Sequence, residues 1–318
     1  MVSVTPTQKA SISPEAAEFL DKIPMVPFAG LISPFLASPR RAKGLRDDMT
    51  AKMSPGEEDL MAKHKLKVTS TNIAKVPVVI IEPPMVAAEY KDKILLNVFG
   101  GGYIMGSARE RAALLMCAEM GIRVYSVEYS KSPEVRYPVA RDETLAVYRR
   151  LVIQFGAKNI LAMGSSAGAQ ILVSALLIAD TEALPMPARL FLCTPALDLS
   201  GAGDSLISNE GRDIMPGSFL AAVVQQNYQP DGQDLKDPLY SPIYAEYKTS
   251  FPPTIISVGT RDLCLSNGVR MYWKLKECGV GVELLVSDGM WHGFNWIEGL
   301  PEAVRLRKAV RDFLAHSP

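Results

Sequence analysis

The sequence predicts an α/β fold: a mostly parallel central sheet with helices on both faces. Three observations predict it. From about residue 65, short apolar runs rich in β-branched residues recur, as in buried parallel strands. Helix-length stretches separate them, which gives the alternation of a doubly covered sheet. One junction has strand–turn–helix form: Ile160-Leu161-Ala162-Met163, then Gly164-Ser165-Ser166-Ala167-Gly168, then a helix-like run over 169–179.

The elements follow in order. Ser13-Pro14-Glu15 opens a short amphipathic helix with Ser13 as its N-cap. A proline-punctuated apolar patch comes next, with Ile23, Met25, Val26, Phe28, Leu31, Ile32, Phe35 and Leu36. A charged, helix-prone segment spans 39–53. Residues 1–60 carry no strand signal and read as a helical cap whose apolar residues need a surface to cover; residues 61–318 read as the main domain. Strands are expected at 66–69, 76–81, 94–99, 124–129, 160–163, 190–193, 254–258 and 282–286. Helices are expected at 108–120, 140–154, 167–180, 265–278 and 301–314. Residues 200–250 break the rhythm with Gly, Asp, Pro and a helix near 216–226. They read as an excursion that covers one end of the sheet and contributes to the cap.

Composition excludes several classes. The chain has 318 residues and is 48% hydrophobic, enough for a large core. Lys+Arg and Asp+Glu are both 34, so no basic face is implied and nucleic acid is not an expected partner. The basic run at 39–43 reads as solvated surface. Cys117, Cys193, Cys264 and Cys278 are scattered, which suggests neither a disulfide framework nor a metal site. Cys117 and Cys193 lie in apolar surroundings and read as core. No signal peptide and no membrane span is legible. A cytoplasmic, reducing compartment is the expectation.

The chemistry centres on Ser166. A tight turn flanked by glycines holds its hydroxyl at a strand end, and the Ala167 N–H points from a helix N-terminus toward the same space. A serine hydroxyl needs a general base, and the base needs an orienting acid. Of the three histidines, His316 is two residues from the C-terminus and His64 precedes the first strand in a charged segment. His292 follows the last expected strand and is the well-placed base. Asp262 ends another strand, thirty residues earlier. Asp288 competes, but it is four residues from His292 on the same short connection. An oxyanion needs backbone donors, and Gly100-Gly101-Gly102 follows the 94–99 strand. Gly101 and Gly102 would join Ala167 there. The glycine run is neither a Walker A loop nor a dinucleotide fingerprint, since Ser107 and Met105 occupy the required positions.

These motifs together resemble the hormone-sensitive-lipase-like family of α/β-hydrolases, in its bacterial-type esterase branch. The family's HGGG loop is matched by Phe99-Gly100-Gly101-Gly102, and its GDSAGG-like elbow by Gly164-Ser165-Ser166-Ala167-Gly168-Ala169. Its YRLAPE…FPA…D segment is matched by Tyr129-Ser130-Lys131-Ser132-Pro133-Glu134 and Tyr137-Pro138-Val139-Ala140-Arg141-Asp142. Thr194-Pro195-Ala196-Leu197-Asp198-Leu199 resembles the family's post-strand segment, and Asp262 and Met290-Trp291-His292-Gly293-Phe294 match its acid and histidine motifs. The resemblance covers about 65–318. It implies the α/β-hydrolase fold with a helical cap, and hydrolysis of short- to medium-chain, fairly apolar carboxylic esters through an acyl-enzyme. It implies no cofactor and no metal, and it admits a homodimer through a C-terminal edge strand. The N-terminal helices would roof the acyl pocket, with Phe28, Leu31, Ile32 and Phe35 at the entrance or packed as core.

Two departures stand out. Phe99 replaces the family histidine that holds the oxyanion loop; it is expected to pack under the cap and shape the pocket. Ser165 replaces an aspartate, with a modest expected effect on local hydrogen bonding. Phe99, Tyr103 and Ser165 are the remaining substrate-contact candidates. A lactone or amide hydrolase with the same triad, and a non-catalytic small-ligand receptor on this fold, are the alternatives.

Overall fold

The computed structural model describes residues 4–23 and 38–315. Phe28, Leu31, Ile32, Phe35 and His316 lie outside the described residues, and so does most of the expected apolar patch. Helices α1 (Pro6–Lys9), α2 (Pro14–Lys22) and α3 (Pro39–Lys63) come first. A hairpin follows, β1 (Lys67–Ile73) and β2 (Val76–Glu82). Then β3 (Ile94–Val98), α4 (Arg111–Met120), β4 (Arg123–Val127), α5 (Val139–Phe155), β5 (Ile160–Ser165), α6 (Ala167–Thr181) and β6 (Arg189–Cys193) alternate. The 200–250 excursion carries α7 (Ser205–Ser208) and α8 (Gly217–Val223). The chain continues through β7 (Thr254–Gly259), α9 (Leu265–Glu277), β8 (Val282–Ser287) and α10 (Pro301–Ala315).

The eight strands form one sheet in the order β1-β2-β4-β3-β5-β6-β7-β8. Only the β1–β2 and β2–β4 pairings are antiparallel. Strands β3, β5 and β7 are buried along their whole length; their sequences are mainly apolar, and of the buried polar side chains Asn97 pairs with Ser126 and Ser257 with Asn295. Strand β1 runs four residues past its expected end. Its hairpin partner β2 holds it through Ile73, turning at Ala74 and Lys75, both at positive φ as a two-residue hairpin requires. Its exposed Thr, Ser and Asn side chains hid this extension from hydrophobic patterning. Helix α3 likewise outruns its expected end, continuing through Pro55, which forfeits one backbone hydrogen bond, to Lys63.

Topology positions the site. From β3 the chain steps to β4 on one side, then returns past β3 to β5 on the other. The order reverses between β3 and β5, and loops leaving their carboxyl ends diverge to open a crevice. The loop after β3 carries the three glycines, and the turn after β5 carries Ser166. Helix α6, entered from that turn, is buried on nearly all sides, as an apolar helix in mid-molecule must be.

The N-terminal helices dock on this unit. Ser13 caps α2 through the Ala16 N–H, as expected, and its own N–H and hydroxyl donate to Glu302 on α10 at 2.7 and 2.9 Å. Ala16 and Leu20 are fully buried, and Phe19 stacks on Trp291 with ring centroids 4.5 Å apart. Helix α2 thus packs against the loop that bears His292.

Candidate active site

Ser166 sits at φ 51°, ψ −121°, a conformation that costs an L-residue about 1–3 kcal/mol unless its surroundings impose it. They do: its N–H donates to Cys193 O at 2.9 Å, and its carbonyl accepts from Ala169 and Ala196. Gly168 must be glycine, because a Cβ there would strike the Val98 and Phe99 carbonyls at the end of β3. This close approach sets the elbow against the glycine loop. Gly101 has φ +120°, and a Cβ on it would strike the Met105 carbonyl. The N–H groups of Gly101, Gly102 and Ala167 have no acceptor among the described residues.

His292 Nε2 lies 2.9 Å from Ser166 Oγ, and its Nδ1 lies 2.9 Å from Asp262 Oδ1. A carboxylate only accepts, so Nδ1 carries the proton and Nε2 is free to accept the serine's. Asp262 is fully buried; Oδ1 also accepts from Cys264 N–H at 2.7 Å, and Oδ2 has no partner among the described residues. Burial disfavours the imidazolium, but the Asp262 carboxylate beside it outweighs burial and holds the His292 pKa well above the ordinary histidine range. Asp288 bonds Ser11 and Thr260 instead, and His64 bonds Glu298. The Asp262, Cys264 and His292 donor atoms lie within 4.8 Å of one another, the one such group among the described residues.

Three acidic residues that sequence patterning did not single out complete the surroundings. Asp213, in the excursion, is buried. Its Oδ1 accepts from His292 N–H at 3.0 Å and its Oδ2 from Leu263 N–H at 2.8 Å, tying together the loops that bear His292 and Asp262. Burial and the neighbouring Asp262 charge push its carboxyl up. Glu110 accepts from Asn97 Nδ2 at 3.1 Å and faces the Ser165 hydroxyl at 3.5 Å; burial pushes its carboxyl up to about 7. Glu57 on α3 is also buried. Nothing local marks these residues: none ends an expected strand or belongs to a motif, and only the tertiary path brings them here.

Two cavities meet at Ser166. One, about 290 Å³, is walled by Leu199, Leu206, Leu220, Ala221, Val224 and Leu235, mostly from the excursion, and reaches Tyr103 and Ala167. The other, about 240 Å³, includes His292, Gly101, Ser165, Glu110, Trp296 and side chains of α3. Gly102 borders both. Phe99 lines neither. It is fully buried beneath the glycine loop, stacked on Tyr129 at 4.1 Å between centroids, and the Tyr129 hydroxyl donates to the Phe99 carbonyl at 3.0 Å. Its ring fills the space under Gly106, so it supports the loop by packing rather than by shaping the pocket.

A family model described as the alpha/beta hydrolase fold matches residues 95–295. The chain belongs to the hormone-sensitive-lipase-like family of α/β-hydrolases. The crystal structure of an esterase named E25 superposes with a TM-score of 0.88 at 30% identity, covering 100% of this chain and 98% of that one. An esterase described as from the bacterial hormone-sensitive lipase family superposes at 0.78 and 26% identity, covering 95% and 98%. An ethyl acetate hydrolase of Pseudomonas putida is 25% identical over 89% of this chain and 92% of its own. No helix among the described residues is long and apolar enough to cross a membrane.

Proposed function

We propose that this chain is a serine carboxylesterase acting on short- to medium-chain, largely apolar esters, with Ser166 as nucleophile, His292 as general base and Asp262 as its orienting acid. The observation that carries the reading is the unbroken relay from Ser166 Oγ to His292 to Asp262, facing three unpartnered N–H groups.

The steps follow from that geometry. Ser166 Oγ attacks the ester carbonyl carbon while His292 Nε2 takes the hydroxyl proton. The carbonyl π electrons move onto oxygen, and the N–H groups of Gly101, Gly102 and Ala167 stabilise that charge. The intermediate collapses, the C–O bond to the alcohol breaks, and His292 gives its proton to the departing oxygen. Water then repeats the sequence on the acyl-serine and releases the acid. Asp262 stabilises the imidazolium in both halves. His292 serves the leaving group, so the cavity it lines takes the alcohol and the leucine-walled cavity takes the acyl chain.

Cap and partner assignments complete the reading. Helix α3 and the excursion, which wall the two cavities, support a cap built from residues 1–60 with a contribution from 200–250. The four free cysteines support a cytoplasmic setting, and the balanced charge supports a small-molecule substrate rather than nucleic acid. Strand β8 closes the sheet with an outer edge unpaired among the described residues, a surface suited to a homodimer.

The test is hydrolysis of p-nitrophenyl esters from acetate to laurate by the wild type and by Ser166→Ala. The expected outcome is an optimum at short to medium chains and a loss of at least about a thousandfold in the variant. Undiminished turnover in Ser166→Ala, or none in the wild type, would overturn the assignment.

A further inference from the structure

The cavity on the His292 side has an unusual wall. Helix α3 presents Met49, Thr50, Met53 and Glu57 to it, residues spaced to share one helix face. Met105, Met215 and Trp296 supply further apolar and aromatic surface. The charged or titratable groups on this wall are Glu57, Glu110 and His292; no lysine or arginine belongs to it among the described residues. Glu110 is engaged by Asn97, but Glu57 is only 4% exposed and accepts no hydrogen bond among the described residues. Burial pushes the Glu57 carboxyl up, the fields of Arg109 and Arg111 oppose that shift, and neither guanidinium lines the cavity. A buried carboxylate without a close partner is costly, and a bound cation would supply one.

We infer that the alcohol-side cavity selects esters of cationic alcohols, with Glu57 recognising the positive charge. The inference rests on the serine-esterase reading and narrows it: the acyl side stays apolar, while the preferred leaving alcohol carries a positive charge. A quaternary ammonium fits this wall in two ways. Its methyl groups match the methionines, which are soft and adapt their shape, and its charge is attracted by the carboxylates, with the Trp296 ring in the same wall. A neutral alcohol of the same shape gains only the first of these.

The discriminating pair is butyrylcholine and its neutral carbon isostere, 3,3-dimethylbutyl butyrate. Their acyl groups are identical, so the ratio of kcat/KM reads the alcohol side alone. The wild type is expected to favour the choline ester about tenfold, and Glu57→Gln to bring the ratio close to one. A choline ester no faster than its isostere overturns the inference while leaving the esterase reading intact, because the isostere is still turned over. A preference that persists in Glu57→Gln overturns the assignment to Glu57. Hydrolysis of neither ester, together with inert p-nitrophenyl esters, overturns both readings. An independent measurement needs no variant: choline is expected to inhibit p-nitrophenyl butyrate hydrolysis about tenfold more tightly than 3,3-dimethylbutanol, and equal inhibition would overturn the inference.

Discussion

At the scale of single residues, His292 and Asp213 set the protonation behaviour of the site. In the proposed role as base His292 must be neutral to accept the serine proton; burial favours that form, but the Asp262 carboxylate outweighs it and holds the pKa above the ordinary value of about 6.5. The acid limb of kcat/KM against pH is therefore expected to have its midpoint above that value, and a midpoint at or below it would contradict the assignment. The linked effect on stability has a definite sign. A group whose pKa is higher when folded stabilises the fold fully below its unfolded pKa, and that contribution is lost as pH rises through the folded pKa. Asp213 acts through its neighbours, since it lines neither cavity and holds the backbone of both loops. Asp213 accepts from four backbone N–H groups, those of His292, Leu263, Ile214 and Met215; Asp213→Asn keeps one acceptor oxygen and strands the donors on the other, at about 1–3 kcal/mol. The expected kinetic result is a roughly tenfold lower kcat with KM little changed; a change confined to KM would assign Asp213 to binding instead.

At the scale of elements, the glycine loop and the elbow are held together through Glu110. Its carboxyl titrates near 7, well above an exposed glutamate, with burial as the main cause. Its contribution to stability is thus present at acid pH and lost as pH rises toward and through 7. Glu110→Gln removes that dependence, so the drop in Tm between pH 5 and pH 8 is expected to be smaller in the variant. An unchanged drop would place the titration elsewhere. The glycine loop, elbow, acid and histidine were all legible in the sequence because each is a local pattern attached to a strand end. Asp213, Glu110 and Glu57 were not. They are isolated acids in an irregular stretch, before a helix and inside one, and distant residues place them: Glu110 bonds Asn97 and Ser165, 13 and 55 positions away, Asp213 bonds His292, 79 positions away, and Glu57 shares a cavity with His292. The placement of Phe99 was missed for a related reason: composition marked the residue as apolar, but only the structure shows that it stacks on Tyr129 and lines neither cavity.

At the scale of the whole molecule, the His292 loop is pinned to the far end of the chain. Arg307 on α10 is buried at 1% exposure. It donates to the carbonyls of Asn295, Ile297 and Glu298 and to the Glu119 carboxylate, joining the loop to α4. Removing one partner of such a network leaves buried acceptors unsatisfied. Arg307→Met is expected to cost about 3–5 kcal/mol in denaturant unfolding and to lower activity as the loop loosens. A loss below about 1 kcal/mol would show that the loop is held by other contacts. The alternation of strands and helices was readable in the sequence, but the strand order that brings the loops to one crevice was not; anchors such as Arg307 determine how firmly each loop stays there.

The stacking of Phe19 on Trp291 has an optical consequence. The chain has three tryptophans, and two of them, Trp291 and Trp296, bracket His292, while Trp273 stands half-exposed on α9. Most of the shielded indole signal therefore originates within four residues of His292. Intrinsic fluorescence is a built-in gauge of this loop: a red shift on dilution into mild denaturant that precedes the loss of helical circular dichroism would reveal the N-terminal helix lifting off the histidine loop before the sheet gives way.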